Sequence, residues 1–458
     1  MANIVICTTS AISHLFQTFN FANDLKARGH AVTYLLIDDS LRSFVESRGF
    51  RFHQFRMVGD YPANKPPSRL EKLVPMARWL RRFRWYAQER RNALLEGQVL
   101  QSQVETFNPD LVVLETNLAI YALPLVGRKI PVILVCQHWP CGYRDGVPYP
   151  DSHFIPTSSR LSRYRSLFDW ARFRTGKYIK MKLFGYLFLG VNIFKYYRWA
   201  AKRYGLSSPS FFKRERPIEY LGLPEVCLCP AAFDFQRPPR PDCYFLDSGV
   251  RPDDPEGASD EAFPWDRLSQ HTPMVFCSFG TILSKSRRWQ ALVRKVLRKI
   301  IQAFSDQSDF QLVVSVGAGF EISESSRAPD RIIITNKWVP QLKMLRRASV
   351  HITHGGFSSV RESIEYRVPM IVIPFDVDQP GNAARVVYHK LGFRVMPRQV
   401  AGGEIVELCR QLNGSPAYKE NIRKMKLEFD RQRAKQSAAD LIESHLSFGR
   451  SEIASHIR

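Results

Sequence analysis

The chain has 458 residues, 45% of them hydrophobic, with 66 Lys/Arg against 43 Asp/Glu and a formal net charge of +23. That length favours two domains, each able to bury a core of its own. Eight cysteines at irregular positions (Cys7, Cys136, Cys141, Cys227, Cys229, Cys243, Cys277, Cys409) argue against a disulfide framework, and neither CQHWPC nor CLC has the paired spacing of a zinc site.

Free thiols imply a reducing, cytoplasmic setting. The start, MANIVICTTS, has no basic stretch ahead of its apolar run, so it does not read as a signal peptide. The longest uncharged apolar stretch, Leu183 to Phe194, is twelve residues, whereas a bilayer span needs about 18 to 20. The charge is uneven. Asp151 to Tyr220 holds 15 Lys/Arg against 4 Asp/Glu, and Lys65 to Leu95 holds 9 against 2. A basic N-terminal half is either a solvated face or a face for an anionic surface, nucleic acid or acidic lipid.

In chain order, NIVIC predicts a strand, and the apolar spacing of Leu15, Phe16, Phe19, Ala22 and Leu25 predicts a helix ending at ARGH. AVTYLLI and GFRFHQF predict strands, and an Arg-rich helix is expected from Leu70 to about Phe107. Asn108-Pro109 breaks it. DLVVLE is a strand, NLAIYALPLVGRKI a helix and PVILVCQ a strand. The Pro-rich stretch from Gln236 to Asp260 reads as a linker. Beyond it, PMVFCSFGT, FQLVVSVG, RIIITNKW, VHITHGG, MIVIPF and FRVMP predict strands, separated by helices that include WQALVRKVLRKIIQAF. A charged helical segment from about Ala417 to Leu446 closes the chain.

This alternation predicts an α/β protein of two doubly wound Rossmann-like domains. The expected division is 1–235, a linker 236–262, 263–425, and a terminal helix and tail 426–458, with the C-terminal helix crossing back to the N-terminal domain. Ligands in such folds bind beyond the carboxyl ends of the strands. That rule selects Thr8 to His14, Glu115, Ser278 to Thr281, and His354 to Gly356.

The richest stretch is KWVPQLKMLRRASVHITHGGFSSVRESIEYRVPMIVIPFDVDQPGN. Gly355 and Gly356 let a backbone approach a ligand closely, and the helix start at Phe357, Ser358 and Ser359 favours a phosphate. His354 can add a donor there. Glu362, two turns on, can accept both hydroxyls of a ribose. Trp338 can stack a planar base, and Asp378 with Gln379 can hydrogen-bond sugar hydroxyls. SFGT, with Ser278, Gly280 and Thr281, can face a diphosphate from the other side.

These residues, WVPQ, then THGG, then the serines and Glu362, then DQ, resemble the donor-binding signature of the family-1 UDP-glycosyltransferases of the GT-B fold. The sixteen-residue step from Trp338 to His354 is similar to that of bacterial macrolide-type members, which glycosylate natural products in secondary metabolism. The resemblance implies that Trp338 stacks uracil and that Val339 and Gln341 lie near the base and ribose. It implies that His354, Thr281 and the amides of Gly356 and Ser358 hold the diphosphate, that Glu362 holds the ribose, and that Asp378 and Gln379 hold the sugar. It implies no metal and no cofactor, the UDP-sugar being a substrate. FSS stands where plant members carry WNS. Glu362 favours UDP over dTDP, and the Gln of DQ favours glucose.

The same resemblance implies inversion, with a histidine after the first strand as general base. His14 lies sixteen residues before His30 of ARGHAV, the family spacing. SHLFQ replaces the usual GH-x-x-P, so Ser13 and Gln17 depart from it. A carboxylate behind the base fixes its tautomer. Glu115 of PDLVVLE stands where the family has Asp. His30 and His351 are read as structural.

The expected acceptor is a hydrophobic or lipid-like small molecule. The aromatic and basic interleaving of Lys177 to Tyr204 reads as acceptor-domain helices with a snorkelling basic face. Its sharper reading is a peripheral contact with anionic membrane, on the inner face. Two other functions fit parts of the sequence. A UDP-sugar 2-epimerase shares the fold, and a nucleic-acid binder would fit the charge; no RNA- or DNA-binding motif supports the latter.

Overall fold

The computed structural model describes residues 1–9, 12–55, 100–140, 144–187, 202, 223–236, 243–250, 263–280, 288–316, 328–336 and 339–447. The first half runs β1 (Asn3–Cys7), α1 (Ile12–Ala27), β2 (Ala31–Leu36), α2 (Arg42–Glu46) and β3 (Arg51–Gln54). β4 (Leu111–Glu115), α3 (Ala122–Gly127), β5 (Val132–Cys136), a long α4 (Arg160–Leu187), β6 (Glu225–Cys227) and β7 (Cys243–Phe245) follow. Their strands form one parallel sheet, β3-β2-β1-β4-β5-β6-β7. Runs such as IVIC, LVVLE and VILVC are buried end to end because helices cover both faces. Ile4 and Ile6 join the core on one face, and Val5 and Cys7 join it on the other.

The second half repeats the plan. β8 (Met274–Ser278), α5 (Gln290–Ser305), β9 (Gln311–Ser315), β10 (Ile332–Thr335), α6 (Gln341–Arg347) and β11 (Ala348–Thr353) come first. α7 (Phe357–Glu365), β12 (Met370–Val372), α8 (Gln379–Tyr388), β13 (Gly392–Arg394) and α9 (Gly402–Gly414) complete it. The sheet order is β10-β9-β8-β11-β12-β13, again parallel.

The closing segment is two helices, α10 (Pro416–Lys435) and α11 (Ala438–Ser447), broken by an extended Gln436. α11 returns to the first domain. Ala438, Ala439, Leu441 and Ile442 enter the core beside α1, and Arg28 pairs with Asp440 at 2.7 Å and Glu443 at 2.5 Å.

Two sequence expectations change, and a third falls mostly outside the described residues. Cys243–Phe245, placed in the linker, is the edge strand β7 of the first sheet; three residues are too few to show a period. NLAIYALPLVGRKI starts as a 3-10 turn over Thr116–Tyr121, with the α-helix only from Ala122. Pro124 has no N–H for the carbonyl four residues back, so it suits a first helical turn and no later position. The Arg-rich helix from Leu70 lies mostly outside the described residues; 100–106 are helical.

The domains meet along a continuous apolar contact. Trp139 and Phe233 from the first share a cluster with Phe357 and Phe429 from the second half. Arg385 of α8 reaches Asp234 at 2.8 Å with both side chains buried. A Cβ on Gly381 would lie 1.7 Å from the Pro150 carbonyl oxygen, so only glycine permits this approach.

Candidate active site

Each sheet reverses its strand order once, between β1 and β4 and between β8 and β11. Ligands of open α/β sheets bind at such points. The chain leaving β1 carries His14, and β4 ends on Glu115. The chain leaving β8 carries Gly280, and β11 runs into His354.

In the first domain, His14 lies in the opening turn of α1, its side chain 25% exposed, while Glu115 is 1% exposed. His14 Nδ1 is 2.9 Å from Glu115 Oε1. The carboxylate also accepts from the Thr9 amide at 2.6 Å, the Thr9 hydroxyl at 2.8 Å and Asn117 Nδ2 at 2.7 Å. Burial works against this carboxylate, but the hydrogen bond and charge of His14 and the two Thr9 bonds outweigh it and hold its pKa below the ordinary value. An anionic Glu115 fixes the proton of His14 on Nδ1 and leaves Nε2 as the basic nitrogen. Gln137 Nε2 donates to the His14 carbonyl at 2.9 Å, bracing the turn.

In the second domain, α7 has Gly356 at its N-cap and so no side-chain cap. Its first amides are therefore unsatisfied by side chains, the usual basis for anion binding. Gly355 turns the chain with φ +86, and a Cβ there would sit 2.5 Å from Val372 Cγ1. The His354 ring fills the space between two other glycines. A Cβ on Gly280 would lie 2.8 Å from its Cε1, and one on Gly356 would lie 2.7 Å from its Nε2. Burial pushes the His354 pKa down to about 4, against the charge of Asp378 and a hydrogen bond to the Ser278 backbone. Its Nδ1 is buried and has no hydrogen-bond partner among the described residues. The neutral ring has a single N–H, which must leave the Ser278 backbone before it can donate to an anion.

Gln341, heading α6, donates to Glu362, which is largely buried. Asp378 stands at the N-cap position of α8 without a side-chain cap bond and accepts from Asn382 Nδ2 at 2.8 Å; the same amide donates to the Gly355 carbonyl at 2.9 Å. Gln379 Oε1 accepts from the amides of Phe375 and Asp376 at 2.8 and 3.1 Å, so that oxygen ties the loop rather than facing a ligand.

Two expected ligand contacts change character. The Phe357 side chain is buried against Trp139, ring centroids 5.8 Å apart, so it is not available to a ligand. Val339 is likewise buried in the core, leaving only main-chain groups. Thr281 and Trp338 lie outside the described residues. Ser278 ends β8 beside His354, and Ser359 lies in the first turn of α7, its carbonyl taken by Ser363.

Sequence reasoning missed three groups. Thr9 fell within the selected loop but was given no role. Gln17, marked only as a departure, donates from Nε2 to Ser358 Oγ at 3.2 Å and joins the helix of His14 to the anion-type turn. Asn382 links Asp378, Gly355 and Trp139, the last at 2.9 Å. Its only signal was its place after DQPG. His30 and His351 are structural. His30 pairs with Glu443 at 2.8 Å, and His351 stacks on Phe276 and bonds Ser363.

Two Rossmann-like domains with a His–Glu pair on one side and a glycine-framed histidine turn on the other define a GT-B type protein. The model for UDP-glucoronosyl and UDP-glucosyl transferases matches residues 201–433. The chain belongs to that family. It is 29% identical to an uncharacterized UDP-glucosyltransferase of Bacillus subtilis over 41% of this chain and 44% of that protein. It is 27% identical to oleandomycin glycosyltransferase of Streptomyces antibioticus over 42% of this chain and 43% of that one. These matches span under half of either relative. Zeaxanthin glucosyltransferase of Pantoea ananas is 24% identical over 95% of this chain and 94% of its own. Among solved structures, the glycotransferase of kitacinnamycin superposes with TM-score 0.72 at 20% identity, covering 97% of this chain and 99% of that one. VinC, solved in complex with DTDP, superposes with TM-score 0.62 at 15% identity, covering 99% of each chain.

Proposed function

We propose that this protein transfers a hexose, glucose first among candidates, from a UDP-sugar to a hydroxyl of a hydrophobic acceptor, with inversion and without a metal. The observation that carries this reading is the His14–Glu115 contact at 2.9 Å, set across the domain contact from the His354 turn. The acceptor oxygen attacks the anomeric carbon as the bond to the diphosphate oxygen breaks. His14 Nε2 takes the acceptor proton, and Glu115 stabilises the imidazolium that forms. The leaving diphosphate gains its negative charge at the α7 amides and His354. Glu362 receives the ribose and Asp378 the sugar.

The test is UDP release from UDP-glucose against a panel of hydrophobic alcohols and phenols. Release that requires an acceptor, with a β-linked product from an α-linked donor, is the expected result. Acceptor-independent epimerisation of the sugar would overturn it.

A further inference from the structure

We infer that the outward face of α4 docks the protein on an anionic lipid bilayer, a property beyond sugar transfer. The sequence located a basic and aromatic patch at Lys177 to Tyr204, mostly outside the described residues. The structure places the exposed face upstream. Among the described residues, ten large apolar side chains are exposed, and six of them lie on α4: Leu161, Tyr164, Leu167, Phe168, Ile179 and Leu183.

Their spacing makes a surface. At 100° per residue, Leu161, Tyr164, Phe168 and Ile179 fall within about 60° of one another. Ser162, Ser166 and Trp170 are buried on the opposite side. α4 thus carries two opposed faces, one satisfied by the domain and one facing outward. Exposed Arg165 and Arg172 border the outward stripe on one flank, whereas Arg163, paired with Asp145, and Arg174, over the Trp170 ring, lie nearer the buried side. The helix holds eight Lys/Arg against one Asp.

That pattern matches a helix lying in a membrane interface, with rings and aliphatic chains among acyl groups and guanidinium groups at lipid phosphates. A nucleic acid would satisfy the arginines but leave the apolar stripe in water, so charge and apolarity together select the bilayer. An open groove of about 1310 Å³ lies against the same helix, lined by Phe154, Arg165, Phe168, Arg172, Phe173 and Arg394. A docked protein would present this groove at the lipid surface.

The experiment is co-sedimentation of the full chain with vesicles of phosphatidylcholine alone or mixed with phosphatidylglycerol, at low and high salt. The wild type is expected to pellet with the anionic vesicles at low salt and to be released by salt. Tyr164→Asp with Ile179→Asp, neither of which lines the groove, should lower that partition by about tenfold or more. Unchanged melting temperature and UDP affinity serve as the fold control. As an independent reading, a polarity-sensitive dye at Ile179→Cys should shift to the blue on adding anionic vesicles. Three results would overturn the inference: no pelleting of the wild type with anionic vesicles, equal pelleting of the double variant, or salt-sensitive duplex DNA binding without vesicle binding. A dimer that the two aspartates dissociate, with no vesicle binding, would assign the face to a second copy instead. Loss of vesicle binding with intact transfer to a soluble acceptor separates this inference from the transferase reading.

Discussion

Gln17 Nε2 donates to Ser358 Oγ at 3.2 Å, so α1, whose opening turn carries His14, is tied to the turn that starts at Gly356. Gln17 is buried, with its Oε1 unpartnered among the described residues. This one bond spans the two halves of the candidate site. Gln17→Ala should weaken UDP-sugar binding about fivefold, the worth of one such hydrogen bond of about 1 kcal/mol, while altering kcat less. Calorimetric titration with UDP checks it; an unchanged Kd would make the contact incidental to the donor.

Glu115 is satisfied by four donors from Thr9, His14 and Asn117. Glu115→Gln keeps the shape but loses the charge and can present a donor to Nδ1, the wrong tautomer for a base at Nε2. Turnover should fall by about a hundredfold or more, with UDP affinity retained. A variant within about twofold of wild type would remove Glu115 from the mechanism.

Gly280 and Gly356 leave room for the His354 ring. A methyl at either position must displace it. Gly356→Ala should cost about 1–3 kcal/mol of stability and weaken UDP binding more than Gly403→Ala, where a Cβ meets nothing within 4 Å. Thermal unfolding with and without UDP measures both effects.

His351 and His354 are buried and held neutral, their pKa values pushed down by burial to about 3 and about 4. Unfolded, both would titrate near 6.5. Between those values the unfolded chain binds more protons, so stability falls as pH is lowered from about 6.5 towards 4. His351→Gln should make that slope shallower by up to about one proton. Denaturant midpoints across the range measure it, and an unchanged slope would contradict the burial account.

The order of elements was legible because the strands are long apolar runs and the helices show clear periodicity. β6 and β7 were not, since EVC and CYF are too short to carry a pattern. The donor-side residues stood out because many of them fall within one stretch at fixed spacing. The reach of Glu115 to His14 was not decidable from sequence, because it depends on Thr9 and on the β1–β4 pairing that brings Cys7 beside Leu114. Gln17 read as a departure because its partner, Ser358, is 341 residues away. Phe357 and Val339 were assigned to the ligand by position alone, whereas their apolar side chains are taken by the cores beneath the site.

The proposed role of His14 is that of base across the domain contact from the nucleotide site. The most direct measurement compares wild type and His14→Ala for UDP binding and for acceptor-dependent UDP release. UDP affinity within about twofold of wild type and turnover reduced by about a thousandfold or more are expected. Turnover like wild type in His14→Ala would contradict the account.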